Sequence, residues 1–432
     1  MRAALRRIAR VRATRRGLAL VVAGAGLVAL GVTLGLPDIL GLGAAAVAAV
    51  AVAWVSQGLQ RLDVGRGALS VSRHVTPDPV VRGEQASVQL LVGPERPSPV
   101  AFERLARIRL SEQASHELAG QHGVRARVTT QPDRIQVRYG VQPSRRGRWP
   151  LGPLLTTRSD AFGLVRTTQP LGEPTLVSVW PRTTELSVRT GLLGDLEHAG
   201  TGARLTAPDD AVLREYVPGD DPRRVHWPTA ARQGRLMVRT DEAAGVRPVT
   251  VLLDRALLPA PGEPRAVAGT VTADGEWAVE HVASLACSFL DAGHPVRLVA
   301  TTRGSLGETA GFVTGARTGR AALLDATIDL AGHRTEADAD AATTATAKAL
   351  RVGRAPGEIT VAVLRPQPPA VLRELAALST ESASCWALVV CRLASDAEAT
   401  VAALGAAGWR VATAQARAPH DRTWAALAER VA

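Results

Sequence analysis

Lysine, cysteine and most aromatic residues are scarce in this chain of 432 residues. The single lysine, Lys348, follows an alanine, so the phosphate-binding loop of the G-x-x-x-x-G-K-[ST] type is excluded. Three cysteines without C-x-x-C spacing exclude a disulfide framework. Only four Phe and two Tyr accompany eight Trp, which argues against the stacking surfaces that bind single-stranded nucleic acid. These absences remove several classes of nucleotide-binding and nucleic-acid-binding protein.

Positive charge is concentrated at the N-terminus. The formal net charge is +11, but seven of the 51 basic residues lie within residues 1–16, a segment without an acidic residue. The rest of the chain contains all 40 acidic residues and is close to neutral. A nucleic-acid partner is therefore not expected. A basic segment beside a membrane helix would instead contact anionic lipid.

Two uncharged stretches follow this basic segment. Residues 18–36 carry no charge, and a second uncharged run covers 39–55 after Pro37-Asp38. Two transmembrane helices are predicted, because each run is long enough to cross a bilayer. A signal peptide is disfavoured, since the first run is too long and the second follows directly; a buried hairpin in a soluble core is the other alternative. The Gly31-x-x-x-Gly35 motif would let the two helices pack closely.

The arginines also predict the orientation of the helices. They flank the two spans, and the turn between the spans has none. Positively charged flanks remain in the cytoplasm, so both termini and the large domain are expected on the cytoplasmic side of the cell (inner) membrane.

Two patterns divide the remaining chain. Residues 68–181 form short alternating or β-branched runs between Gly and Pro clusters, which predicts a β-sandwich or β-barrel module. After residue 248, short apolar runs alternate with helical patterns, which is typical of a mostly parallel sheet covered by helices. The predicted fold class is α+β multidomain: two transmembrane helices, a β-sandwich-like module, then an α/β domain of Rossmann type. The predicted domains are 1–17 (basic cytoplasmic tail), 18–56 (transmembrane helices), 60–182 (β-rich module), 183–247 (linker and signature segment) and 248–432 (α/β domain).

The most charge-dense segment lies between the two modules. Pro218-Gly219 indicates a turn, and Asp221-Pro222 indicates a helix start, where the helix dipole favours acidic residues. The candidate partner- or anion-binding residues in this segment are Arg214, Glu215, Asp220, Asp221, Arg223, Arg224, His226, Trp227 and Arg232.

This segment also carries a family resemblance. REYVPGDDPRRVHWPTAARQGRLMVRTDE, residues 214–242, resembles the signature of the domain of unknown function 58 family, and SRRGRWPLGPLLTTRSDAFGLVRTT, residues 144–168, resembles the sequence that precedes it there. The order of the predicted modules is similar to the family's layout. The resemblance implies a membrane-anchored protein with a von Willebrand factor A-like C-terminal domain, often associated with MoxR-type AAA+ ATPases. A non-catalytic scaffold or interaction protein is therefore expected.

The resemblance also raises the question of a metal site. Von Willebrand A domains that bind Mg²⁺ use a D-x-S-x-S motif, whose carboxylate and hydroxyls are hard oxygen ligands. The matching positions are Asp254, Ala256 and Leu258, so both hydroxyls are missing. We therefore predict a degenerate site, without metal or other cofactor. Asp254 is expected to cap the adjacent loop or to pair with Arg255.

Three interpretations of the charged segment stay open at this stage. The first is a docking or anion-binding surface, and the second is a structural Arg–Asp network between the two modules. In the third, Asp220, Asp221 and His226 form a metal-dependent or acid/base hydrolase centre. The neighbouring arginines would repel a metal cation, so no catalytic residue is assigned and an enzyme is not expected.

Overall fold

A computed structural model of the chain describes most of both predicted modules. The described residues are 10–65, 67–119, 126–188, 213–215, 231, 234–235, 237–239, 247–261, 268–304, 311–379 and 384–429. The chain divides into two compact units, Met1–Trp180 and Pro181–Ala432.

The first unit begins with two antiparallel apolar helices, α1 (Arg15–Leu34) and α2 (Pro37–Leu59). Both are long and apolar enough to cross a membrane. Only 17% and 11% of their most apolar windows are buried, so most of their apolar surface is left exposed. A helix of a soluble core would bury this surface, whereas a lipid bilayer accepts it.

Gly24 and Gly31, spaced seven residues apart, bring α1 close to α2, whereas Gly17 contacts Leu164. Gly17, Gly24 and Gly31 are the buried residues of α1. A Cβ on Gly31 would lie 2.6 Å from the backbone nitrogen of Leu40. Gly35 has no such neighbour and ends α1 in a left-handed conformation. In the predicted Gly31-x-x-x-Gly35 motif, Gly31 therefore packs against α2, whereas Gly35 caps the end of α1.

Two antiparallel sheets form the β-sandwich-like module. The first contains, in pairing order, β1 (Val11–Ala13), β9 (Val165–Leu171), β8 (Gly147–Ser159), β10 (Thr175–Trp180) and β3 (Val80–Val81), with β5 (Ile108–Ala114) also pairing with β8; its one parallel contact is β10–β3. The second contains β2 (Leu69–Thr76), β4 (Ala86–Pro94), β7 (Ile135–Val141) and β6 (Ala126–Thr130). Two short helices, α3 (Pro99–Ala106) and α4 (His116–Ala119), complete the module. Val88, Leu90 and Val92 alternate into its core, as the two-residue period of a strand requires.

This module attaches to one end of the helical hairpin. The β1 strand joins the edge strand β9, so residues 11–13 of the predicted basic tail belong to a sheet. Thr14 caps α1, and its backbone N–H donates to the carbonyl of Leu164 at 2.9 Å. At the end of α2, Arg158 donates to the carbonyls of Gln57 and Gln60 at 2.8 and 2.9 Å. Both helices are therefore connected to the module through backbone groups.

The second unit contains a five-stranded parallel sheet, as predicted. Its strands, in spatial order, are β14 (Val296–Ala300), β13 (Val249–Leu253), β15 (Ile359–Leu364), β16 (Cys385–Val390) and β17 (Arg410–Ala414). Its helices are α5 (Ala268–Asp291), α6 (Ala316–Ile328), α7 (Glu336–Val352), α8 (Pro369–Ala376), α9 (Glu398–Ala406) and α10 (His420–Ala428). Two further short strands, β11 (Leu213–Glu215) and β12 (Met237–Arg239), pair with each other. The central strands β13, β15 and β16 are buried along their whole length, as expected for a sheet covered on both faces.

An extended segment before this sheet packs along α5. The backbone N–H groups of residues 182, 184 and 186 donate to Glu280, Ser284 and Ser288 at 3.2, 2.9 and 3.0 Å. The four-residue spacing places these three acceptors on one helix face. The start of the predicted linker, at residues 183–188, therefore packs on the α/β unit.

A buried histidine on α5 predicts an acid-sensitive unit. Burial and the neighbouring His420 lower the pKa of His281 to about 3. Above about pH 6.5, which is the pKa of histidine in the unfolded chain, His281 is neutral in both the folded and the unfolded state. Its protonation then does not lower the free energy of unfolding. As the pH falls below this value, the unfolded state takes up the proton first. The free energy of unfolding should then decrease by up to about 1.4 kcal/mol per pH unit.

Urea unfolding of the detergent-solubilised chain, followed by tryptophan fluorescence across this pH range, measures the effect. His281→Phe should flatten the pH profile while retaining a ring stacked on Trp277. His74→Phe, on an exposed strand position, should keep the wild-type slope. An identical slope for His281→Phe and the wild type would show that another group is responsible.

Candidate interaction site at the carboxyl edge of the parallel sheet

The predicted binding residues are only partly covered by the structure. Arg214 and Glu215 lie in β11, where their backbones are paired with Val238 and Met237 of β12. The others lie outside the described residues: Asp220, Asp221, Arg223, Arg224, His226, Trp227 and Arg232. Their binding, structural and hydrolytic interpretations stay predictions.

Asp254 occupies the carboxyl edge of the sheet, directly after β13. The residue is fully buried. Its Oδ1 accepts a hydrogen bond from the backbone N–H of Ala256 at 2.9 Å and so caps a short 3-10 turn. Its Oδ2 accepts from Gln367 Nε2 at 2.6 Å and lies 3.8 Å from Arg365 Nε. The expected loop-capping role is confirmed by this geometry.

The expected pairing of Asp254 with Arg255 is wrong. Arg255 Nε donates to the carbonyl of Ala331 at 2.6 Å instead, and the cation near the carboxylate is Arg365. Arg365 follows β15, which pairs directly with β13, so the two strands bring these residues together across the edge.

These residues do not fit a magnesium ion. Mg²⁺ requires oxygen ligands, but Ala256 and Leu258 replace the two hydroxyls. Arg365 and Gln367 direct N–H groups at Asp254 in the place of a cation. Burial raises the pKa of Asp254, while these donors and Arg365 favour its charged form. The carboxylate therefore holds the ends of two strands together.

An arginine follows every strand of the parallel sheet within three residues. These are Arg255 after β13, Arg303 after β14, Arg365 after β15, Arg392 after β16 and Arg417 after β17. Because parallel strands end at one edge of a sheet, all five arginines lie there. This edge therefore has a repeated cationic character.

Acidic residues neutralise part of this edge. Arg303 pairs with Asp338 at 2.7 Å, Arg417 pairs with Asp274 at 3.2 Å, and Arg365 also contacts Asp340. Arg392 is exposed and forms no ion pair within the described part of the chain. The next residue, Leu393, is 63% exposed. Arg392 and Leu393 therefore present an accessible cation and an exposed apolar side chain next to each other at this edge.

Comparison with known proteins identifies the central segment. Residues 212–356 match the model of the protein family of unknown function DUF58. This segment carries the DUF58 signature. The predicted resemblance is thereby confirmed. The DUF58 region covers β13, β14 and Asp254, whereas Arg365 and Gln367 lie beyond its end. No curated protein matches the sequence.

Two of the solved structures that match the chain show how partial the similarity is. One is a von Willebrand factor type A protein from Catenulispora acidiphila, with 15% identity, 42% of this chain and 40% of that chain covered, and a TM-score of 0.27. The other is the GspB Siglec domain, with 11% identity, 30% of this chain and 72% of that chain covered, and a TM-score of 0.17. The fold assignment rests instead on the strand order β14-β13-β15-β16-β17, a doubly wound arrangement whose order reverses at β13.

Sequence motifs did not indicate three residues of this edge that follow the DUF58 signature. Arg365, Gln367 and Arg392 lie more than a hundred residues after the signature begins. A usable signal was present, since each follows a short, buried, β-branched run. Strand ends of a predicted parallel sheet are therefore better site candidates than charge density along the chain.

Proposed function

We propose that this protein is a membrane-anchored, non-catalytic scaffold or interaction protein. In this proposal, α1 and α2 hold it in the cell (inner) membrane, and the α/β unit binds a protein partner. The observation that carries the proposal is the arginine after each of the five parallel strands, with the exposed pair Arg392 and Leu393 among them.

The closed geometry at Asp254 supports a role without a metal. Its carboxylate is bonded to the backbone of Ala256 and the amide of Gln367, so the edge has its shape before any ligand binds. A preformed surface loses little conformational entropy on binding. Its arginines favour an acidic surface on the partner.

The proposed orientation places the β module in the cytoplasm. Arg10, Arg12, Arg15 and Arg16 precede or begin α1, and the connection between the helices contains no basic residue. This asymmetry favours a cytoplasmic location for both ends of the hairpin. Resistance of the α/β unit to protease in sealed inverted vesicles would contradict it.

The proposed partner is an ATPase of the MoxR AAA+ type, which the family resemblance suggests. Affinity purification of the tagged full chain in mild detergent, followed by mass spectrometry, tests this. We expect the wild type to retain such an ATPase. Arg392→Glu should reduce its recovery about tenfold, because charge reversal replaces attraction by repulsion at the contact.

A control on the opposite edge makes this result specific. Arg351 is also an exposed arginine, but it lies at the end of α7 near the amino edge of the sheet. Arg351→Glu should retain the ATPase like the wild type. Equal loss of the ATPase in both variants would contradict a contact at the carboxyl edge. If folded wild-type protein retains no ATPase, this partner is excluded. Loss with Asp221→Ala or Arg223→Ala alone would place the contact in the DUF58 signature.

A further inference from the structure

A groove lies where α2 meets the β module. Its volume is about 880 Å³. Small apolar side chains of α2 form one wall: Ala45, Ala48, Ala49, Val52 and Ala53. The opposite wall comes from α3, the start of β5, the end of β8 and the loop after it. The groove is therefore apolar along the helix and polar where the helix ends.

Arginines dominate the polar end and an adjoining cavity of about 510 Å³. They are Arg104, Arg107, Arg109, Arg158 and Arg166. The acidic residues lining the same space are Glu103 and Asp160. Glu103 pairs with Arg107 at 3.0 Å, and the carboxylate of Asp160 accepts from the backbone N–H groups of Phe162 and Val165 at 3.1 and 2.7 Å. An excess of positive charge remains.

Arg158 is the buried member of this group. Arg158 is only 6% exposed, and no carboxylate of the described residues lies within ion-pair distance of its guanidinium. Its two terminal nitrogens donate to Gln57 and Gln60 at the end of α2, while Nε has no hydrogen-bond partner. Burial, together with the charge of Arg104, lowers the pKa of Arg158 to about 10, so it is still a cation at neutral pH. The negative end of the α2 dipole offsets only part of that charge.

The groove lies at the level expected for lipid headgroups. It begins beside the apolar residues of α2 and ends at Gln60, just after the helix. The loop that closes it exposes Phe162 to 79%, which places an apolar ring next to the hairpin. Aromatic side chains are favoured at the membrane interface. An apolar wall that leads to a cationic end matches the shape of a phospholipid.

We propose that this groove binds one anionic phospholipid of the leaflet facing the β module. The phosphate would lie against Arg158 and Arg107, and an acyl chain would follow the alanine wall of α2. Basic pockets beside transmembrane helices recognise such headgroups. The proposal rests on the proposed membrane anchoring.

The test uses the full chain in detergent, with lipid binding followed by native mass spectrometry and by thermal shift. We expect phosphatidylglycerol to bind about tenfold more tightly than phosphatidylcholine. Arg107→Gln should remove this preference, because it deletes a cation and leaves Glu103 unpaired in the groove. Ala49→Trp should weaken both lipids without changing charge, since the ring fills the apolar wall.

Arg134→Gln is the matched control. Arg134 is an exposed, ion-paired arginine of the same module that does not line the groove, so its removal should leave the lipid preference unchanged. Inorganic phosphate should not stabilise the wild type; an equal effect of phosphate would identify a soluble anion site and overturn the lipid proposal. Absence of any preference in the wild type would also overturn it. Flotation with phosphatidylcholine vesicles separates the two proposals: failure to float refutes membrane anchoring, whereas flotation without lipid preference refutes only the groove.

Discussion

Replacing Glu358 by alanine should lower the free energy of unfolding of the α/β unit by about 3–5 kcal/mol. Glu358 and Arg297 are 1% and 5% exposed, and their side chains are joined by hydrogen bonds of 2.9 and 3.1 Å. Arg297 Nε also donates to Thr250 at 2.6 Å. The alanine variant would leave the guanidinium of Arg297 buried without its counter-charge, and an uncompensated buried charge strongly destabilises the folded state.

Urea unfolding of the full chain, monitored by the tryptophans of the α/β unit, measures this loss. Glu374→Ala is the control, since its 3.7 Å ion pair with Lys348 is at the surface and should contribute less than about 1 kcal/mol. The double variant Arg297→Met/Glu358→Leu should recover most of the stability, because no charge is left buried. A wild-type midpoint for Glu358→Ala would show that the pair is solvated in solution.

Replacing Gly17 by alanine should detach the start of α1 from the β module. A Cβ at this position would lie 2.1 Å from the carbonyl oxygen of Leu164. That oxygen also accepts hydrogen bonds from the backbone and hydroxyl of Thr14, at 2.9 and 3.0 Å. A backbone atom cannot rotate aside as a side chain can, so we expect a cost of about 3 kcal/mol or more.

Hydrogen exchange of the amides in β1, together with thermal unfolding in detergent, reads out this detachment. Gly26→Ala is the matched control on the same helix, because a Cβ there has no neighbour within 4 Å. It should be neutral or slightly stabilising, as alanine favours helix over glycine. Full protection of β1 in Gly17→Ala would show that β1 stays paired with β9 without this contact, which would contradict the predicted detachment.

Most of the regular structure was predictable from local patterns. The strand Ile359–Leu364 has the bounds that its apolar run predicts, and the two apolar helices follow from their length. The strands β8 and β9 were not predicted, because Gly, Pro and Arg interrupt their alternation. A 3-10 turn at Ala394–Ala397 precedes α9. Turn geometry of this kind depends on how the chain leaves the preceding strand.

The site was less predictable than the fold. The missing hydroxyls after Asp254 are visible in the sequence. The replacement of the cation by Arg365 and Gln367 is not visible, because these residues lie 111 and 113 positions further along the chain. Only the pairing of β13 with β15 brings them to one carboxylate.

The amino-acid sequence by itself determines the following features: the scarcity of lysine and cysteine, the basic N-terminus, the two apolar helices, the DUF58 signature and the alternation of strands and helices in the α/β unit. Each is a local property, set by composition or by periods of two to four residues. The three-dimensional fold was needed for the arginine-bearing edge, the Arg297–Glu358 pair and the arginine groove beside α2. In these features the partners are distant in sequence, and burial changes what each charge costs, so no local pattern records them.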